Sequence, residues 1–181
     1  MRYALIREMD VSNGRGVGIS LFVQGCHFHC EGCFNPETWD FNGGKEWTKD
    51  IEDKFFNLAR RSYIRRISIL GGEPLADENL DTVLHILARI KKELPDKEVW
   101  LYTGYVLDDM LLVLPTSSQS EKERYRIISS NLIDYLVDGR FEISKQDTMN
   151  KEIVFAGSTN QRIIAMKDIN LYESVNRESE E

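Results

Sequence analysis

Val17-Gly18-Ile19-Ser20-Leu21-Phe22-Val23 runs straight into Gln24-Gly25-Cys26-His27-Phe28-His29-Cys30-Glu31-Gly32-Cys33, and this stretch decides how the rest of the chain is read. The first seven residues form a short apolar run, the mark of a buried strand. Gly25 punctuates its end. The last eight, Cys26 to Cys33, contain all three cysteines of the 181-residue chain. One buried strand therefore delivers three sulfur donors from its carboxyl end.

Outward from that stretch, strand and helix patterns alternate. Trp47 to Arg61 places Ile51, Phe55 and Leu58 at helical spacing behind Thr48, a candidate N-cap. Ile67-Ser68-Ile69-Leu70 reads as a second strand. Asn79 to Leu94 carries Leu80, Val83, Leu84, Leu87 and Ile90 on one helical face and stops at Pro95. Val99 to Tyr102 is a third strand, Val106 to Leu114 a short helix, and Tyr135-Leu136-Val137 a fourth strand. Ile163-Ile164-Ala165 offers a fifth. Such alternation predicts an α/β fold with a mostly parallel sheet. A closed (β/α) barrel takes about 250 residues. The expectation is therefore an open sheet, an incomplete (β/α) barrel of five to six strands. Pro115 to Glu123 is polar and reads as a surface loop. Glu173 to Glu181 is acid-rich and is expected to be a disordered tail, leaving one domain over 1–172.

In open α/β sheets, ligands bind at the carboxyl ends of the strands. Gly25-Cys26, Gly71-Gly72-Glu73-Pro74, Thr103-Gly104-Tyr105 and Asp138-Gly139-Arg140 follow the first four predicted strands in turn. All four would meet at one rim.

The formal net charge of −7 argues against a nucleic-acid partner, because such proteins concentrate Lys and Arg on one face. The basic pairs Arg60-Arg61, Arg65-Arg66 and Lys91-Lys92 read as solvated surface. Apolar runs such as Met110 to Leu114 are too short to cross a bilayer. The first residues, charged at Arg2, Arg7 and Glu8, make no signal peptide, so a cytoplasmic location is expected.

An odd cysteine count in a reducing compartment disfavours disulfides. Three thiolates this close repel unless a cation shares their charge, so the window reads as a metal site. Two occupants suit the spacing. A [4Fe–4S] cluster normally takes four thiolates, and three would leave one iron open. A structural zinc ion would need His27 or His29 as fourth ligand, and would make the protein a non-catalytic interaction module. Both histidines read equally as exposed loop residues.

Cys26-x3-Cys30-x2-Cys33 behind the first strand resembles the radical S-adenosylmethionine enzymes, and Gly71-Gly72-Glu73-Pro74 resembles their Gly-Gly-Glu motif. Within that superfamily the chain is similar to the activating components of anaerobic (class III) ribonucleotide reductases. The likeness runs through Asn13 to Gly16, Gly25 to Asn35, Thr38-Trp39, Trp100 to Tyr105, Val137 to Phe141 and Gly157 to Arg162. Gly32 stands where many members carry an aromatic residue, a feature of this narrower family.

The resemblance implies Cys26, Cys30 and Cys33 as ligands of a [4Fe–4S] cluster whose fourth iron is chelated by S-adenosyl-L-methionine. It implies Gly71, Gly72 and Glu73 at the methionine end, with Gly32 and Phe34 against the nucleoside. Thr103, Asp138 and Arg140 are further candidates for the ribose or carboxylate. The implied reaction is reductive cleavage to a 5′-deoxyadenosyl radical, which takes a hydrogen atom from a glycine of the anaerobic ribonucleoside-triphosphate reductase. An external one-electron donor such as flavodoxin or ferredoxin is implied as well. An activating enzyme of the formate-lyase type is the alternative within the same chemistry. Trp39, Phe41 and Trp47 just beyond the cysteines suit either the core or a docking surface.

Overall fold

The computed structural model describes residues 1–146 and 154–169. The expected tail lies outside the described residues. In chain order the strands are β1 (Arg2–Asp10), β2 (Gly18–Val23), β3 (Lys45–Glu46), β4 (Arg66–Gly71), β5 (Glu98–Tyr102), β6 (Tyr135–Asp138) and β7 (Arg162–Ala165). The helices are α1 (Lys49–Ala59), α2 (Leu80–Glu93), α3 (Leu107–Leu111) and α4 (Gln119–Ser129). The strands form one sheet in the order β3-β1-β2-β4-β5-β6-β7.

The α/β class is as expected, with two corrections. The sheet has seven strands rather than five to six. It is also parallel only at its centre. β2, β4, β5 and β6 run parallel, whereas β1, β3 and β7 pair antiparallel. The sheet is open, with β3 and β7 as its edges. A third correction concerns Pro115 to Glu123, whose second half begins α4. Ser118 and Glu121 form a reciprocal capping box there, which fixes the helix start.

Alternation of side chains gives the central strands two different faces. On one face Ile19, Leu21, Val23, Ile67, Ile69, Val99, Leu101 and Leu136 join the main core cluster. Phe55 and Phe56 of α1, Val83, Ile86 and Leu87 of α2, and Ile127 of α4 belong to that cluster and are completely buried. Each such side chain stabilises the fold by about 1.5–3 kcal/mol. Thr48 caps α1 by accepting from the Ile51 amide, as its position predicts.

The other face is layered by register. Ser20, Ser68, Trp100 and Tyr135 stand side by side, with Trp100 and Tyr135 stacked at 4.5 Å. One step toward the strand starts lies Arg66, completely buried beside Asp10. Asp10 accepts from Ser20 Oγ and Asn13 Nδ2, each at 2.6 Å, and Arg66 Nη2 donates to its backbone carbonyl at 2.9 Å. One step toward the strand ends lie Phe22, Leu70 and Tyr102, which line a cavity. The polar layer thus supports the floor on which the site is built.

Candidate functional site

The cavity holds about 400 Å³ and opens at the carboxyl ends of the parallel strands. The loops after β2, β4, β5 and β6 all contribute to its wall, as the strand-end pattern predicts. Among the expected residues, Cys26, Cys30, Cys33 and Phe34 line it from the first loop. Gly71, Gly72 and Glu73 line it from the second, Thr103 from the third and Arg140 from the fourth.

The cysteine loop leaves β2 and returns beside its own start. Gly25 N donates to the Thr38 carbonyl at 2.7 Å and Cys26 N to that of Trp39 at 3.1 Å. Gln24, 2% exposed, reinforces the closure by donating from Nε2 to the carbonyls of Glu37 and Asp40. All three thiols are free. Burial pushes the Cys26 thiol up, against the pull of the Phe28 and His29 amides. Burial likewise raises Cys30, with the Phe141 amide and the Arg140 charge opposing it. Thiols held this way need a cation before they become ligands.

The donor set fits an iron–sulfur cluster better than a lone ion. Among the described residues no group of three His, Cys, Asp or Glu side chains is arranged to hold a single metal ion. A cluster instead binds each sulfur through a different iron. Neither histidine lines the cavity. His27 is exposed and its Nε2 lies 3.0 Å from Glu78, while His29 stacks on Trp39 at 4.6 Å. Trp39 itself reaches the cavity wall, and its indole Nε1 is buried without a partner among the described residues. Trp47 sits at the core instead, edge-on to Tyr3 and Phe55. Phe41 packs on His27 at 4.4 Å.

The second loop lies against the first. Gly71 has φ +109°, open to glycine at little cost. A Cβ on Gly72 would stand 2.4 Å from the Gly25 carbonyl oxygen. Gly72 N donates to the Val23 carbonyl at 2.9 Å and Glu73 N to that of Gly25 at 2.7 Å. Only glycines permit this seam. Glu73 is 2% exposed. Its Oε1 accepts from Leu75 N at 2.8 Å and Thr103 Oγ1 at 2.7 Å, and its Oε2 from Gly104 N at 2.8 Å. A carboxylate has about four acceptor positions, so Oε2 retains room for one more donor. Burial pushes its pKa up to about 7, and the three neutral donors only partly offset that.

Two expected residues do not line the cavity, and one changes role. Asp138 is buried and accepts from Leu107 N at 2.7 Å, capping α3, and from Arg162 Nε at 3.0 Å. Outside the cavity lining and engaged by a helix start and a guanidinium, Asp138 acts as a strut between β6 and β7. Gly32 is exposed beside Ile143 rather than in the wall. Thr103 lines the cavity, but its hydroxyl is engaged with Glu73 and the Tyr105 amide. Arg140 lies 4.3 Å over the Phe28 ring, and Phe34 packs 4.9 Å from Phe141. Sequence reasoning missed Arg7, Ser12, Asn13 and Tyr102, which complete the floor. Arg7 lies on the charged strand β1, Ser12 and Asn13 lie in the loop after it and Tyr102 ends β5, so no local pattern joined them.

A family described as 4Fe–4S single cluster domain matches residues 12–164. The chain is 37% identical over 163 residues to the anaerobic ribonucleoside-triphosphate reductase-activating protein of Salmonella typhi, covering 89% of this chain and 96% of that protein. Its namesake from Vibrio cholerae is 37% identical over 90% of this chain and 97% of its own length. The one from Enterobacteria phage T4 is 30% identical over 93% of this chain and 96% of its own.

Proposed function

The chain belongs to the family of anaerobic ribonucleoside-triphosphate reductase-activating proteins, and from that premise we propose that it is a radical S-adenosylmethionine activase that generates a glycyl radical on the reductase. Cys26, Cys30 and Cys33 hold a [4Fe–4S] cluster. When bound and reduced, the cluster supplies the electron that cleaves S-adenosylmethionine and so starts the hydrogen abstraction.

The chain's own residues bind and orient. Gly71 and Gly72 let the backbone approach the methionine end. Glu73 offers its remaining Oε2 position to the methionine ammonium, a charge-assisted contact in a low-dielectric wall. Thr103 and the Gly104 amide aim that carboxylate. Phe34, braced by Phe141, presents a ring face to the nucleoside, with Arg140 at the same rim; the Gly32 backbone, two residues before Phe34, is offered to the nucleoside from outside the wall. The open sheet serves as an incomplete barrel within one domain over 1–172. The electron comes from an external donor of the flavodoxin or ferredoxin kind, and the partner is met in the cytoplasm. Among the described residues no helix is long and apolar enough to cross a membrane.

One observation carries this reading: three free cysteines of a single loop and the Gly71–Glu73 turn face the same cavity from neighbouring parallel strands. Anaerobic reconstitution with iron and sulfide, then reduction with S-adenosylmethionine, should release 5′-deoxyadenosine. With the reductase added, a glycyl signal should appear in electron spin resonance. Cys30→Ala should lose both the cluster absorbance and the release. Normal turnover in that variant would end the proposal.

A further inference from the structure

Asn79 stands one residue before α2, where an asparagine ordinarily caps its own helix by accepting from a backbone amide. It makes no side-chain capping bond. Its side chain turns to the two loops of the site instead. Nδ2 donates to the Gln24 carbonyl at 3.1 Å and to the Glu73 carbonyl at 2.9 Å. Both acceptors are carbonyl oxygens, so the amide nitrogen must face them, and its two hydrogens serve both. Asn79 is 1% exposed, so no solvent stands in for either bond.

The two carbonyls belong to different machinery. Gln24 opens the cysteine loop and, through its own side chain, holds the loop's exit at Glu37 and Asp40. Glu73 ends the Gly-Gly-Glu turn and carries the carboxylate aimed by Thr103. Asn79 therefore joins two rigid loops from behind, while the bonds from Gly72 N and Glu73 N form the seam between them. A ligand that touches both loops at once is sensitive to their separation, and a misplacement of about 1 Å can cost about 100-fold.

We propose that Asn79 is a positioning residue that sets the spacing between the cysteine loop and the Gly71–Glu73 loop, and through it the affinity for S-adenosylmethionine. This rests on the function proposed above. Asn79 makes no capping bond, so Asn79→Ser and Asn79→Ala remove none from α2, while neither can donate twice across the gap. In anaerobically reconstituted protein, iron and sulfide content should stay near wild type, while the carbonyls left unpaired should lower the thermal midpoint by several degrees. The Kd for S-adenosylmethionine, read from its perturbation of the reduced cluster's spin-resonance signal, should rise about tenfold, the scale of one buried hydrogen bond. A wild-type Kd in a folded, loaded Asn79→Ser protein would overturn the inference alone. So would loss of the cluster in both variants, which would make Asn79 a support of the cysteine loop only. A wild-type signal that S-adenosylmethionine leaves unchanged would overturn the proposed function, and this inference with it.

Discussion

Asp10 and Glu73 are each 2% exposed, yet their carboxyl groups titrate in opposite directions. Burial pushes Asp10 up, but bonds from Ser20, Asn13 and the Ser12 amide, with the charge of Arg66, bring it down to about 2. Burial pushes Glu73 up to about 7, and three neutral donors do not reverse it. At Asp10 the neutral hydrogen bonds do most of the lowering and a guanidinium in direct contact adds to it, whereas the burial of Glu73 outweighs its donors and the more distant charge of Arg124. Asp10 has the completely buried Arg66 against it, at 3.3 Å from Oδ1. Glu73 has no salt bridge among the described residues. One carboxylate is complete within the fold and braces the cavity floor. The other has no ion pair among the described residues, and in the function proposed above it meets the ammonium of the ligand.

Removing the cation from the complete site should have the largest effect. Arg66→Met leaves Asp10 charged, buried and unpaired, which should cost about 3–5 kcal/mol. Urea unfolding of the cluster-free protein would measure it. The double variant with Asp10→Asn should recover part of the loss. Full stability in Arg66→Met would mean that the two carboxylates do not differ in the way described.

Next in size is a contrast in pH dependence. Glu73 binds its proton more tightly folded than unfolded, about 7 against 4.5. Its contribution to stability is therefore full below pH 4.5 and is lost as the pH rises to and through 7. The linked free energy is on the order of 3 kcal/mol. Asp10 does the reverse: its contribution is present above 3.8 and is lost as the pH falls through about 2. Glu73→Gln should flatten the stability profile between pH 4.5 and 7 and leave the acid limb in place. A profile unchanged by that substitution would remove Glu73 from the account.

A smaller effect concerns the ligand. If the ammonium of S-adenosylmethionine meets ionised Glu73, affinity should improve about tenfold between pH 6 and 8, the ratio of ionised fractions for a group near 7. Glu73→Gln should bind more weakly at pH 8 and lose that dependence. Isothermal titration of the reconstituted protein at several pH values would decide it.

What the sequence made legible follows the same division. The Gly-Gly-Glu turn and the cysteine loop are contiguous, so their chemistry is visible in a few residues. The four central strands show as apolar runs because their neighbours cover both faces. β1 was missed because Arg2-Tyr3-Ala4-Leu5-Ile6-Arg7-Glu8-Met9-Asp10 is partly exposed, and its charges mask the pattern. β3 has only two residues and no period to detect. The start of α4 looked like a loop because its first turn is polar, although Ser118 and Glu121 carried the capping signal. The Asp10–Arg66 pair spans 56 positions, and only the strand register brings it together. Asp138 lies outside the cavity lining, which its sequence did not reveal, because a strand-end carboxylate looks alike whether it faces a ligand or caps the next helix.

Thr103 offers the finest test, since it acts on Glu73 without supplying charge. Its hydroxyl donates to Oε1 at 2.7 Å and so favours the ionised carboxylate. Thr103→Val keeps the shape, removes that donor and leaves the Tyr105 amide without its acceptor. The loss should be about 1 kcal/mol, and the midpoint of the affinity profile should move upward by up to about one pH unit. Thr103→Ser keeps the hydroxyl and should restore the midpoint. A purely structural role would lower the thermal midpoint of Thr103→Val and leave the titration where it was. Only an upward shift that the serine variant reverses would show that a neutral donor tunes Glu73.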